Sequence, residues 1–471
     1  MKWYRILIPR LLFFYLAVSI CSAAPPTVLY TDSLGRIVQV PTNDVPPELL
    51  PAAGTRQIPE STRGVKLRTD RETNAPCQWF PARQPRLMSY LASNDEFGNT
   101  AIRPDPLIRS TPLDAVVQGG KYWLSDYGFR YKLDHTATYV SLTDVTKGDS
   151  TLAYYTFDFK SKWAIFNTGW ITSQVEYKTG LGPIGDTQDA KSNLGTTTNP
   201  TGIWSSHNGW RVPELAWQQA LLDGQIVIVA GMVSQGNYFD SNAYAGSGRG
   251  QFINSGLIDS MVVPLPSYNA GFNVQWQPLE DWYGMIGYTA GGATAGTAAW
   301  NEFSSDPWTV LGEFGYAPDN FLGIGPGVYR VQPFIAEADG WTQGGLGFNL
   351  QQQLGKDSPF GWYGRYGYGG SHVVNGAQQQ LGTGFVVQAP FKHLLMQRTS
   401  NDFLGVGFVW SQPMATTKPI IHENEYVFEI TYALQLTPTA KLQPDVQYIL
   451  DPTHNASPNA AVVQLQLDLK W

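Results

Sequence analysis

The chemistry this sequence offers lies in charged side chains at alternating positions. Asp158 and Lys160, Glu176, Glu214, Arg330, Arg365, Glu425 and Glu429, Lys441 and Asp445, and Asp468 and Lys470 each fall on the polar side of a period-2 run. Successive strand residues point to opposite faces, so such residues share one surface. A surface with both signs keeps water and can grip hydroxyl groups, because guanidinium groups donate and carboxylates accept. Other chemistry is missing. His135, His207, His372, His393, His422 and His454 are scattered, without the HExxH spacing of a helix-borne zinc site. The tightest group, His422, Glu423 and Glu425, falls at a connection, so no metal and no cofactor is expected. Ser205-Ser206-His207 sits in a long connection, and adjacent loop residues do not make a nucleophilic triad, so no catalytic residue is expected. The pairs Gly119-Gly120, Gly291-Gly292 and Gly344-Gly345 lack the strand-to-helix setting of phosphate loops and read as small residues on crowded strands.

The elements carrying those faces are strands. Of 471 residues only 15% are charged, against roughly 25% in ordinary soluble domains. Lys and Arg number 31 and Asp and Glu 38, so no basic excess points to nucleic acid. Two Cys cannot frame a disulfide fold, and 43% hydrophobic residues speak against disorder. Beyond the first two dozen residues no apolar run approaches the length of a membrane helix.

The chain divides by texture. Lys2, Arg5 and Arg10, the apolar run Leu11–Cys21 and then Ser22-Ala23-Ala24 read as a signal peptide over residues 1–23, cleaved after Ala23. Ile20 before Cys21 argues against a lipoprotein, and Cys77 reads as an inert buried thiol. Residues 24–110 form a largely irregular extension, rich in Pro up to about residue 80; in the transitional stretch from 81 to about 129, Leu113 to Tyr127 can make one short amphipathic helix. Residues 111–471 form an all-β domain.

In its last strand Ala461, Val463, Leu465, Leu467, Leu469 and Trp471 make an apolar face opposite Gln464, Gln466, Asp468 and Lys470. Tyr426, Phe428, Ile430 and Tyr432 stand opposite Glu425, Glu429 and Thr431 in the same way. Rings concentrate near strand ends, as they do where a transmembrane barrel meets the two membrane surfaces. Sixteen candidate strands can be drawn, near 131–144, 151–166, 168–180, 211–222, 224–235, 268–278, 281–291, 307–318, 327–337, 342–354, 360–370, 379–389, 402–413, 424–436, 440–450 and 459–471. Connections after even-numbered strands are mostly tight, while the long ones near 181–210, 236–267 and 292–306 follow odd-numbered strands. That asymmetry, broken at 390–401, is the pattern of a transmembrane antiparallel β-barrel. The 341 residues from Tyr131 to Trp471 allow about 21 per strand with its connection.

Two segments carry a specific resemblance. The run EITYALQLTP from Glu429, followed by LQPDVQYI from Leu442 and then Pro452, resembles the penultimate hairpin of the carbohydrate-selective porins, the OprB family. Gln225 to Val233, then YFDSN from Tyr238 and QFINS from Gln251, resembles a strand and its following long loop in the same family. The resemblance covers about residues 110–471. It implies a sixteen-stranded barrel in the bacterial outer membrane through which monosaccharides such as glucose diffuse passively. The implied partners are small carbohydrates, outer-membrane lipids, and the barrel-assembly machinery that would read the C-terminal strand ending in Trp471. The alternative is a general porin or one for another solute; an exported carbohydrate-binding protein without a channel and a barrel hydrolase are further readings.

The candidate solute contacts follow from parity and loop length. The loop 236–267 is expected to fold inward, offering Asp240, Asn242, Tyr244 and Arg249. Arg330, Arg365, Glu425 and Glu429 are expected to line the lumen. Most of the other inward charges are expected to keep the lumen wet and to pair with each other.

Overall fold

The computed structural model describes residues 27–31, 37–41, 120–121, 123–124 and 127–471, the last apart from 167–168, 182–187, 205–207, 291–306, 339, 357, 371–375, 391–401, 415–418 and 438. The signal peptide, Cys77, most of the Pro-rich extension, Ser205-Ser206-His207, His372, His393 and the Gly291-Gly292 pair lie outside the described residues. Two short strands, β1 (Thr27–Thr31) and β2 (Ile37–Pro41), pair antiparallel with Thr27 opposite Pro41.

The second unit is a closed barrel of sixteen strands, β3 to β18. They are β3 (Phe129–Leu142), β4 (Thr151–Phe166), β5 (Gly169–Gly180), β6 (Gly209–Leu221), β7 (Ile226–Val233), β8 (Asn269–Trp276), β9 (Trp282–Ala290) and β10 (Trp308–Tyr316). Then come β11 (Gly327–Ala338), β12 (Trp341–Gln353), β13 (Phe360–Gly369), β14 (Ala377–Gln388), β15 (Phe403–Pro413), β16 (Glu425–Gln435), β17 (Ala440–Leu450) and β18 (Asn459–Lys470). Every strand pairs antiparallel with its sequence neighbour, and β18 closes on β3 with Val462 opposite Leu142 and Lys470 opposite Asp134. Closure removes the edges that an open sheet would expose.

All sixteen expected strands are present, shifted by a few residues at their ends. The fifth of them differs for a local reason. Leu222–Gly224 makes the turn, with Leu222 at φ +51, and Gln235–Asn237 already leaves the wall to begin the inward loop. On β6, Pro213 has no N–H to give, and the register against β5 shifts there, with Gln174 opposite Glu214 and Glu176 opposite Arg211. The connection between β11 and β12 is a tight turn, with Gly340 at φ +77, where L side chains are strained.

The two faces of the wall divide as alternation demands. Phe314, Phe385, Phe428, Ile430, Val446, Val463 and Leu465 are exposed on the outer face, and Trp276, Trp282, Trp341 and Tyr368 stand exposed near strand ends. Gln443, Gln447, Gln466, Glu425 and Glu429 are buried on the inner face. The apolar rows therefore do not meet in a dry interior. Among the described residues no helix is long and apolar enough to cross a membrane.

Candidate functional site

The connection from Ser234 to Tyr268 is the longest in the barrel, and it runs around the inside of the wall as a collar. Each part of it is fastened to a different strand. Asn237 donates its amide to Gln174 on β5 and Glu214 on β6, each at 3.0 Å, and accepts from Lys160 on β4 at 2.9 Å. Tyr238 donates its hydroxyl to Glu214 at 3.0 Å. The Gly250 N–H donates to Gln443 on β17, and Gln466 on β18 donates to the Gly248 carbonyl at 2.8 Å. Gln380 on β14 accepts from the Met261 N–H and donates to the Gly256 carbonyl.

Three ion pairs set the collar's shape. Arg365 on β13 meets Asp240 at 3.1 Å, and the rest of its guanidinium donates to the carbonyls of Asp240, Ala245 and Leu257. One buried cation thereby ties three points of the collar to one strand. Asp240 also accepts from Asn349 on β12 at 2.6 Å and from the Ser260 N–H at 2.8 Å. Beside it, Arg330 faces Glu313 at 3.6 Å, with the Tyr283 hydroxyl donating to Glu313 at 2.7 Å and accepting from Arg330 at 2.9 Å. Glu313 closes the network by accepting from the Asp240 N–H. Arg249 reaches the opposite wall, 3.5 Å from Asp158 and donating to Thr136 and Thr156.

Two carboxylates anchor backbone. Glu429 accepts from the N–H groups of Ile253 and Asn254 at 2.7 and 2.9 Å, one on each oxygen. Glu425 does the same for Thr197 and Thr198, in the long connection between β5 and β6, at 2.7 and 3.0 Å. Ionised acceptors make the stronger class of hydrogen bond, which suits groups that hold a loop inside a wet lumen. The two loops also touch, since the Ser255 N–H donates to the Asn199 carbonyl at 2.9 Å.

The apolar side of the collar needs room in the wall, and glycine provides it. A Cβ at Gly405 or Gly384 would come within 2.7 to 3.1 Å of Phe252, and one at Gly407 within 2.7 Å of Leu257. Gly367 faces Val262, Gly347 faces Val263 and Gly361 faces Tyr244 in equally close approach. Phe252 also packs on Tyr363 and Phe403, with ring centroids 5.4 and 5.7 Å away. Inward-facing glycines on β12 to β15 thus form the seat of the collar.

Arg330, Arg365, Glu425 and Glu429 lie on the inner face that strand parity gives them, and the loop carrying Asp240, Asn242, Tyr244 and Arg249 runs inside the wall. Their accessibility differs from the expectation of solute contact. Asp240, Asn242, Tyr244, Arg330, Arg365 and Glu429 are buried between collar and wall, and Glu425 is buried under the β5–β6 connection. Asn242 joins Asn349 at 2.7 Å and accepts from the Tyr244 N–H. Among these predicted residues, Arg249 alone keeps a partly exposed side chain, at 15%. The sequence reading missed Phe252, Leu257, Glu313 and Asn349 as collar contacts, although glycines repeating at inward positions were a usable signal for the seat. It also missed Asp259. That side chain is exposed to the lumen while protein surrounds it. Burial, then the neighbouring Asp240, push its carboxyl up to about 6, with Arg365 opposing.

A closed sixteen-stranded barrel with an apolar exterior, a polar interior and an inward collar defines an outer-membrane porin. Residues 183–344 and 342–470 match the carbohydrate-selective porins of the OprB family, more than half of the chain, and the chain belongs to that family. OprB of Pseudomonas putida in its high-pH structure superposes with a TM-score of 0.62 at 15% identity, over 79% of this chain and 100% of that one. Its low-pH structure gives 0.50 at 14%, with the same coverage. A relative from Aquifex aeolicus (strain VF5), carrying the description Uncharacterized protein, is 22% identical over 182 residues, or 36% of this chain and 54% of that protein. The chain thus spans about half the length of that curated relative.

Proposed function

We propose that this porin lets small carbohydrates, monosaccharides above all, diffuse passively across the bacterial outer membrane. A bilayer excludes a sugar because its hydroxyls would lose their hydrogen bonds to water. A lumen of amides and charges replaces those bonds, and passage needs binding weak enough to allow exit. The observation that carries the reading is the collar: a long loop held inside the barrel by buried ion pairs narrows the bore and fixes which groups meet the solute. Arg249 and Asp259 are the solute-facing charges of that collar. Asp240, Asn242, Tyr244, Arg330, Arg365 and Glu429 act at one remove, by holding it in place, and Glu425 does so for the β5–β6 connection that touches it. Residues 1–23 serve as a cleaved export signal, 24–110 precede the barrel, and the strand ending at Trp471 is what the barrel-assembly machinery recognises. Lipid covers the outer aromatic and aliphatic face.

Liposome swelling over a series of sugars tests this. Monosaccharides should enter markedly faster than their size alone predicts relative to disaccharides. Rates that follow solute size alone would favour a general pore.

A further inference from the structure

Tyr268 stands where the collar returns to the wall, one residue before β8. Of the seven non-glycine residues with positive φ among the described residues, it alone is aromatic, at φ +71. A bulky side chain rarely adopts that backbone conformation, which costs energy and persists only where the surroundings enforce it. The conformation changes where the ring points. Along β8, Phe272 and Trp276 are exposed on the outer face, while Asn273 and Gln275 are buried inside. Alternation alone would therefore give Tyr268 to the lipid. Its hydroxyl instead lies within hydrogen-bonding reach of the Arg211 guanidinium, on the inner face of β6. Its N–H donates to the Pro213 carbonyl at 3.3 Å, just beyond the last β6–β7 pair, Leu215 opposite Met232.

The ring is partly exposed and borders a cluster of both signs. Arg211 meets Glu176 on β5 at 3.1 Å, and Lys178 lies 3.9 Å from the same carboxylate. Glu176 also accepts from Gln174 at 3.1 Å. Asp158, close enough to act electrostatically on Tyr268, holds Arg249 of the collar at 3.5 Å. Each of these charges has an opposite partner, so the cluster does not call for a counter-ion. Glu176, Lys178 and Arg249 nevertheless keep 14 to 15% of their side chains exposed. An accessible aromatic face beside fixed donors and acceptors suits a ring with an apolar C–H side and a rim of hydroxyls.

We infer that Tyr268 is a stacking platform for a pyranose ring, with Glu176, Lys178 and Arg249 bonding its hydroxyls. The C–H side of the sugar lies on the negative face of the aromatic ring, and the charged groups replace water around the rim. The strained backbone has a use in this account: it takes a residue that alternation assigns to lipid and turns it into the bore. Because each charge is already paired, a neutral sugar binds weakly enough to leave. The inference rests on the sugar-porin reading and deepens it, since what is recognised is the closed ring of the solute rather than its hydroxyls alone.

The test is current block in planar bilayers, on the full-length protein, by glucose and by sorbitol, an open-chain polyol of nearly the same size that has no ring. Glucose should block the wild-type channel at a several-fold lower concentration than sorbitol. In Tyr268→Asn the half-blocking glucose concentration should rise roughly fivefold or more, to the level of sorbitol. Tyr268→Phe, which keeps the ring, should retain most of the glucose preference. Heat-modifiable gel mobility verifies that each variant is folded. It also separates a platform from a structural role: Asn tolerates a positive φ better than Tyr, so Tyr268→Asn should unfold at the wild-type temperature or above it. Equal glucose block in the wild type and Tyr268→Asn, or a Tyr268→Phe channel as weakly blocked as Tyr268→Asn, overturns the platform and leaves the sugar-porin reading standing. A wild type that glucose and sorbitol block alike overturns the platform too; if swelling rates then follow solute size alone, the sugar-porin reading falls with it.

Discussion

The lumen has two walls of opposite construction. Strands β12 to β15 are lined with inward glycines and covered by Phe252, Leu257, Val262 and Val263 from the collar. Strands β17, β18 and β3 to β5 carry amide and charged side chains, which the collar meets through polar contacts at Asn237, Gly248, Arg249 and Gly250. The first wall is a seat and the second is a surface. The difference shows how a barrel with uniform backbone geometry obtains a narrow, asymmetric bore: side-chain volume removed on one side lets a loop pack in, and polar side chains on the other bind its backbone and Arg249 directly.

Removing the fastening should have the largest effect. Asp240→Ala leaves the Arg365 guanidinium buried beside bare carbonyls, and breaking a buried ion pair costs about 3–5 kcal/mol. The collar should come loose, giving noisy, larger conductance steps and a lower transition temperature in gel-shift unfolding. Steps of wild-type size and quietness would mean that the collar is held elsewhere. Filling the seat comes next. Gly405→Leu drives a side chain into Phe252, and overpacking of this kind costs about 1–3 kcal/mol. Conductance should fall as the collar is pushed into the bore, whereas Gly405→Ala should be milder. On the Glu429 anchor, Glu429→Ala strips the acceptors from the Ile253 and Asn254 N–H groups, at roughly 1–3 kcal/mol for each group left unsatisfied. Faster hydrogen exchange at those two amides is the readout.

On the charged side the effects should be smaller and concern passage. Arg249→Ala should change single-channel conductance and sugar block of the current, and unchanged values on both would remove Arg249 from the path. The smallest effect belongs to Asp259. With its carboxyl pushed up to about 6, Asp259 is ionised at pH 7.5 and protonated at pH 5. Acidification thus removes one negative charge from the collar, so the cation-to-anion permeability ratio should fall between those two values. Asp259→Asn should start at the lower ratio and lose most of that pH dependence. A variant that keeps the full wild-type response would place the titrating group elsewhere.

Strand number, facing and order were legible in the sequence because period-2 alternation is a property of the backbone and needs no tertiary knowledge. Which end of the barrel carries the long loops was legible from connection lengths. The depth at which a charged residue ends was not. Glu429 and Lys160 both read as inward charges, yet Glu429 is fully buried under Ile253 and Asn254 while Lys160 stays partly exposed. The deciding fact is where the collar lies, and that depends on contacts such as Arg365 with Asp240, 125 residues apart. Alternation reports only which face a residue takes. Asp259 escaped notice for the same reason, since a lone loop Asp has no period to mark it.

The central claim is that sugar occupies the collar-narrowed bore. Wild-type ion current through a planar bilayer, measured while glucose is added, tests it most directly. Glucose bound within the collar should lower the current along a saturating curve, to a plateau lower than solution viscosity alone would produce. A current that tracks viscosity at every concentration would contradict the account.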